Sequence, residues 1–387
     1  MDKTKSKIIK AFTLLFLILF PFGQLIRSEV VFFGTNITIH PIDVVIVLIF
    51  LTTISGPFSK PQFYKSMTSF LTVAVFSLLF STSVFGVAQV IKGAFYLLRL
   101  ISYLFFFVAL FNVVKGKEAK NTIYNLLIAV AAISAIFGWI QYFRFPDLRS
   151  LFYIGWDDHL YRLIGTFLDP GFTSIILVFG FLLAAVKFIE EKKKIFLLLS
   201  MLLLLSVTFT YARAAYVALL GGVYVISKMK GNFRPLLITS LFLLALTLFL
   251  PRPAGYGVML ERTHSIYAKL TNYGQTLNII KEVPLFGVGF NNMCLAREKY
   301  LGDRETTSHA CSGSDSSLLL IFATTGVLGT LAFIKFAYDL LKGSGRNLYS
   351  TAFLGSSAAL IIHSFFVNSL FYPWVLGFMA ILAILKE

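Results

Sequence analysis

Long apolar runs separated by short basic clusters fill most of the chain. A membrane-crossing helix needs about 20 mostly apolar residues. Runs of this kind fall near 8–26, 41–56, 66–86, 91–114, 122–143, 172–189, 195–211, 213–228, 234–251, 315–341, 349–367 and 371–385. The pattern predicts an all-α polytopic membrane protein of about twelve transmembrane helices, one multi-pass membrane domain over residues 1–387. The opening MDKTKSKIIKAFTLLFLILFPFG has a basic start and an apolar run but lacks a small-residue cleavage site. It is read as a retained first helix rather than a signal peptide.

The charges follow this map. Loops facing the cytoplasm carry an excess of Lys and Arg. With the N-terminus inside, every second loop is basic. These are Lys3 to Lys10, Lys60 and Lys65, Lys115 to Lys120, Lys187 and Lys192 to Lys194, Lys228 to Arg234, and Lys342 with Arg346. The intervening loops are neutral or mixed, which places both termini in the cytoplasm. Composition agrees: 57% of residues are hydrophobic and only 13% charged, against roughly 25% charged in soluble domains. The net charge of +16 therefore reads as topology. Nucleic acid is not an expected partner, since no basic stretch interleaves with aromatics on a soluble face.

Two segments predicted to lie outside are long, 144–171 and 252–314. Loops longer than about 12–15 residues are usually functional or disordered. The second is an extracytoplasmic insertion between late helices. Ile266, Leu270, Tyr273, Leu277 and Ile280 recur there at helical spacing, and Pro284 follows. That predicts an amphipathic helix that lies on the outer membrane surface or caps the bundle. Gly287 and Gly289 then allow a tight, close-packed turn. The chain has only two cysteines, Cys294 and Cys311, both in this loop. An oxidising compartment would pair them in a disulfide. No cysteine–histidine spacing indicates zinc, and Asp157, Asp158 and His159 give only weak grounds for a metal.

Among residues suited to chemistry, Arg213 stands where two apolar helices meet. A guanidinium at membrane depth is costly and is usually kept for function, and it binds phosphate with a planar fork. The bland alternative is an interface arginine that snorkels. Arg262 and Lys269 lie seven residues apart, two helical turns, so they share a flank with Tyr273 and suit an anionic head group. Arg162 precedes Asp169-Pro170-Gly171, a helix start that would favour an anion. His309 can take a proton near neutral pH. Asp315 stands before a membrane helix, where it would serve as N-cap or as a base.

Four segments in order resemble the O-antigen ligase and polymerase superfamily of bacterial cell-envelope proteins. They are RLIGTFLDPGFTS at 162–174, TFTYARAAYVALL at 208–220, IIKEVPLFGVGFN at 279–291 and DSSLLLIFATTGVLG at 315–329. The resemblance implies an all-helical bundle with a large external loop, in the bacterial cytoplasmic membrane. It implies a glycosyltransferase that takes a polyprenyl-pyrophosphate-linked glycan as donor, with no bound metal or cofactor. The acceptor would be a second glycan or a lipid core. By motif, Arg213 matches the arginine that binds the donor pyrophosphate. Lys269, four residues before Tyr273, matches a second cation, with Arg262 as alternative. The family's catalytic histidine falls on Asp315, and His309 is the nearest histidine. The departures favour a polymerase over a ligase. A transporter or flippase is the alternative reading, although no internal repeat supports it.

Overall fold

Each of the twelve apolar runs forms a helix in the computed structural model. The structure describes residues 2–32, 35–253, 255–303, 311 and 313–387. Among them lie fourteen α-helices. The first seven are α1 (Lys3–Leu19), α2 (Pro41–Ile54), α3 (Tyr64–Phe85), α4 (Val87–Val113), α5 (Lys117–Arg144), α6 (Pro170–Glu191) and α7 (Lys194–Phe209). The others are α8 (Arg213–Lys230), α9 (Arg234–Phe249), α10 (His264–Glu282), α11 (Met293–Leu301), α12 (Ser317–Leu341), α13 (Leu348–Ser364) and α14 (Pro373–Leu385).

Two elements depart from the sequence reading. A small hairpin, β1 (Ser28–Phe32) and β2 (Thr35–Ile39), pairs antiparallel with Ser28 opposite Ile39. Its β-branched residues are dense, but the run is too short to compete with the apolar helices around it. The short helix α11 was not expected either. The helix expected over 266–280 is present as α10. Ile280 is buried, but Ile266, Leu270 and Leu277 of the expected apolar stripe are 46%, 58% and 44% exposed. Only the second half of α10 packs inward, through Thr276, Ile279 and Ile280.

Six helical segments are long and apolar enough to cross a membrane: Lys3–Leu25, α3, α4, α5, α6 and α12. Four more, α2, α7, α9 and α14, are apolar but shorter. The chain is a polytopic membrane protein. At 1.5 Å per residue the 13 residues of α14 reach about 20 Å, short of a roughly 30 Å hydrocarbon core. Every residue of α14 is buried. A helix apolar on all sides is a core helix, and α14 packs on α4 and α13. Around it α8 lies along α13, and α6 lies between α7 and α13.

The helices of the C-terminal half share their ends. Lys230 at the end of α8 bonds Glu190 at the end of α6. Lys386, after α14, donates to the Lys342 carbonyl after α12 at 3.1 Å. The starts of α6, α8, α12 and α14 therefore lie together at the other end of the bundle, away from these lysines.

Helix α12 is broken at Gly326, with φ 65° and ψ −168°. A broken helix in a membrane bundle must have its freed backbone groups satisfied by other protein groups. The segment 284–289 supplies them. Val288 and Gly289 donate to the carbonyls of Ala323 and Thr324 at 2.9 and 3.0 Å, and Val327 donates to Pro284 at 2.9 Å. Approach this close needs glycine. A Cβ on Gly326 would stand 2.2 Å from the Leu285 carbonyl oxygen, and one on Gly287 would stand 2.5 Å from the Thr324 backbone. Gly326→Val is expected to cost about 2–5 kcal/mol from steric overlap and a disfavoured φ. It should melt well below wild type in detergent, with Leu331→Ala, on an exposed side chain, as control. Equal melting of Gly326→Val and wild type would disprove the docking of 284–289 in this break.

Candidate functional site

A cavity of about 1160 Å³ opens where those four helices begin. Its lining includes Asp169 to Phe172 at the start of α6 and Ala212 to Ala214 at the start of α8. Gly313 to Asp315 before α12, and Tyr372 with Pro373 at α14, complete the ring of helix starts. Each helix N-terminus carries partial positive charge and unpaired N–H groups. Two of these starts share one construction. Leu168 (φ 57°) and Tyr211 (φ 51°) hold left-handed backbone two residues ahead of Pro170 and Arg213. Bulky residues rarely adopt that conformation, and such strain gathers at functional sites.

Arg213 is the first residue of α8, at the boundary expected from its sequence. Its guanidinium donates to the carbonyls of Leu260 and Arg262 at 3.1 and 2.9 Å and to Ser265 Oγ at 2.8 Å. It thus ties α8 to the entry of α10. Arg262 lies in the turn before α10 and not on the helix, so it does not share a helical flank with Lys269. The helix begins only at His264. Arg262 is instead held by the carbonyls of Met259 and Tyr211 at 2.7 and 3.0 Å. Arg162 is buried and donates to Thr210 O at 3.0 Å at the carboxyl end of α7, and its charge also acts on Asp169 at the start of α6.

These cations crowd each other. Burial, and next the charge of Arg262, push the Arg162 guanidinium down to about 10. Burial and then Arg213 lower Arg262 in the same way. Burial raises the Asp169 carboxyl above its ordinary range, against the Phe172 N–H that it accepts at 2.8 Å. A bound anion would relieve this crowding.

Lys269 and Tyr273 do share one face of α10. Lys269 Nζ donates to the Phe366 carbonyl at 2.5 Å and lies 4.0 Å from Asp315 Oδ1. Tyr273 donates to the Phe365 carbonyl at 2.6 Å. Burial, and then Asp315, raise its hydroxyl to about 12. Asp315 is not the N-cap of α12, because Ser316 takes that role and accepts from Leu319 N. The Asp315 backbone N–H donates to Asn272 Oδ1 at 2.9 Å, and its side chain remains 44% exposed on the cavity. His309 lies outside the described residues. The described histidine nearest to it after the loop, His363, is buried with Nδ1 2.9 Å from Ser369 Oγ and does not line the cavity.

Cys294 of α11 and Cys311 are bonded to each other and both line the cavity. Closing a loop of this 17-residue separation contributes on the order of 3 kcal/mol. Cys294→Ser is accordingly expected to lower the melting temperature under non-reducing conditions and to make wild type and variant alike under reductant. A full thiol-alkylation mass shift of native wild type without reductant would rule the pairing out. Among the described residues no group of three or more His, Cys, Asp or Glu gathers as a metal site.

All the site residues expected from sequence that lie among the described residues line this cavity: Arg162, Arg213, Arg262, Lys269, Tyr273, Asp315 and both cysteines. Residues 171–334 match the family model described as O-antigen ligase. Residues 171–334 are an O-antigen ligase family domain. The resemblance drawn from the four segments is thereby borne out, and the family is one of ligases and polymerases that act on lipid-linked glycans. Comparison with curated proteins found no match. The matched domain includes Arg213, Arg262, Lys269, Tyr273 and Asp315.

The sequence reading missed a second group in the same cavity, ahead of that domain. Lys92, Tyr96 and Arg99 of α4 line it, with Arg27, Glu29 and Trp156. Lys92 and Arg99 are two helical turns apart with Tyr96 between, a polar stripe in an otherwise apolar run. That spacing was the available signal.

Proposed function

We propose that the chain is a glycosyltransferase that uses a polyprenyl-pyrophosphate-linked glycan as donor at the outer face of the bacterial cytoplasmic membrane. The observation that carries this reading is the convergence of Arg213, Arg262, Lys269 and Asp315 on one cavity ringed by helix N-termini. A pyrophosphate there meets cations and N–H donors together. As the glycosidic bond breaks, negative charge grows on the departing pyrophosphate, and groups already in place stabilise it. The acceptor hydroxyl oxygen forms the new bond to the anomeric carbon, and the polyprenyl pyrophosphate leaves with the old electron pair. The hydroxyl proton passes to Asp315 or His309. In-line attack inverts the anomeric centre, and no metal takes part.

The outer-face assignment rests on charge. The lysine-rich loops lie at the end of the bundle opposite the cavity, and basic loops face the cytoplasm. On this topology both termini are cytoplasmic, and 252–314 is an external loop. The acceptor is a second lipid-linked glycan, so the product is a lengthened surface polysaccharide, and polymerase is preferred to ligase. Purified protein in liposomes, given a lipid-linked oligosaccharide, should yield longer lipid-linked chains and free polyprenyl pyrophosphate. Transfer to a lipid core alone would make it a ligase. Movement of the substrate across the bilayer with no new glycosidic bond would make it a transporter and end the proposal.

A further inference from the structure

Helix α4 brings a second cationic surface to the cavity. It packs closely at Gly93, where a Cβ would stand 2.4 Å from the Phe290 carbonyl oxygen. Lys92 and Tyr96 line the cavity together with Phe290 and Asn291. The charges along this surface are unequal in their use. Arg99 is balanced by Asp43 at 2.9 Å and donates to the Thr38 carbonyl. Arg27 faces Glu29 at 3.6 Å. Lys92 forms no hydrogen bond or ion pair with the described residues. It is only partly exposed and stands in a helix apolar enough to cross the membrane. An ammonium without a partner among the described residues, on the wall of a cavity, is a candidate contact for an anionic group.

Aromatic faces accompany it. The Arg99 guanidinium lies 4.8 Å from the Tyr96 ring centroid, and that of Arg27 lies 5.5 Å from Trp156. Each cation covers one face of a ring and fixes it in position. Fixed aromatic rings with a few placed polar groups are the usual construction of a small-molecule subsite. Arg27, Lys92, Tyr96, Arg99 and Trp156 all lie outside the matched residues 171–334. They are therefore suited to a property particular to this chain.

We propose that this surface is the acceptor subsite and that it selects a glycan bearing an anionic sugar, whose carboxylate or phosphate pairs with Lys92 while the sugar rings lie on Tyr96 and Trp156. The proposal rests on the donor reading above, because it assigns the other end of the same cavity. Binding to the full-length protein in nanodiscs tests both separately. The probes are tetragalacturonate against maltotetraose, glucose 6-phosphate against glucose, and inorganic pyrophosphate.

Wild type should hold at least one acidic probe tenfold or more tighter than its neutral counterpart, and which pair does so identifies carboxylate or phosphate. Lys92→Gln should reduce that preference to within twofold, while Lys92→Arg keeps it. Trp156→Leu, in a loop and so less able to disturb the bundle, should weaken tetragalacturonate and maltotetraose by similar factors. Pyrophosphate binding should fall in Arg213→Ala and stay unchanged in Lys92→Gln. Equal binding of acidic and neutral probes by wild type overturns the subsite, as does unchanged preference in Lys92→Gln or unchanged binding in Trp156→Leu. Loss of pyrophosphate binding in Lys92→Gln also overturns it, by moving Lys92 to the donor site. Unchanged pyrophosphate binding in Arg213→Ala overturns the donor reading instead.

Discussion

Arg213→Ala is expected to lower glycosyl transfer by about 10²–10³-fold, the usual loss when one fixed donor to developing negative charge is removed. The difficulty is that Arg213 has two tasks. It donates to Leu260 O, Arg262 O and Ser265 Oγ and so latches α8 to the start of α10. Loss of the latch would also release Lys269, which stands on α10. Two further variants separate the effects. Ser265→Ala removes one latch bond and keeps the charge, so turnover should stay within about fivefold, in line with the loss of about 1 kcal/mol for one hydrogen bond. Arg213→Lys keeps a charge and loses the planar fork, and should fall between, near tenfold down. Turnover and donor affinity measured on reconstituted protein give the answer. If Ser265→Ala is as damaging as Arg213→Ala, the guanidinium is a structural latch and the donor site lies elsewhere.

The ordering of these effects depends on tertiary contacts that no local pattern contains. Arg213 was readable because a charge between two apolar runs is conspicuous, and because a helix boundary there is forced by the runs themselves. The six long apolar helices and the shorter apolar ones were readable for the same reason: a membrane helix must be apolar over most of its length. Arg262 was assigned to a helix because its spacing from Lys269 fits two turns. The spacing is correct, but the helix starts two residues later, and the side chain caps carbonyls instead.

The stripe on α10 was legible as an apolar face of a helix. Apolar periodicity gives the face and not what covers it. Ile266 and Leu270 face the cavity rather than a packed core. The polar stripe of α4 was lost inside a run read as one more membrane helix, since Lys92 gains meaning only when it lines the cavity together with Phe290. Helix α12 was read as a single span, but its break at Gly326 is stable only because 284–289 fills it, a pairing of segments about forty residues apart.

The second large effect is expected at Asp315, and here the sequence argument and the geometry pull on the same residue. An aspartate before a membrane helix is ordinarily explained as its N-cap. Ser316 holds that position, so the Asp315 carboxylate is spared and faces the cavity 4.0 Å from Lys269. A general base contributes about 10²–10⁴-fold. Asp315→Asn keeps the size of the side chain and the backbone bond to Asn272 while removing the proton acceptor. Turnover should drop by that factor with pyrophosphate binding changed less than about threefold, since uniform binding is not what a base supplies.

His309→Gln is the companion variant. With Asp315 as base it should retain most activity. The reverse result, an active Asp315→Asn and an inactive His309→Gln, would make the histidine the proton acceptor and leave Asp315 the counter-charge of Lys269. Loss in both, with products of donor hydrolysis still formed in Asp315→Asn, would assign the carboxylate to holding the acceptor rather than to taking its proton. Each variant therefore points to one role, because binding and turnover are read apart.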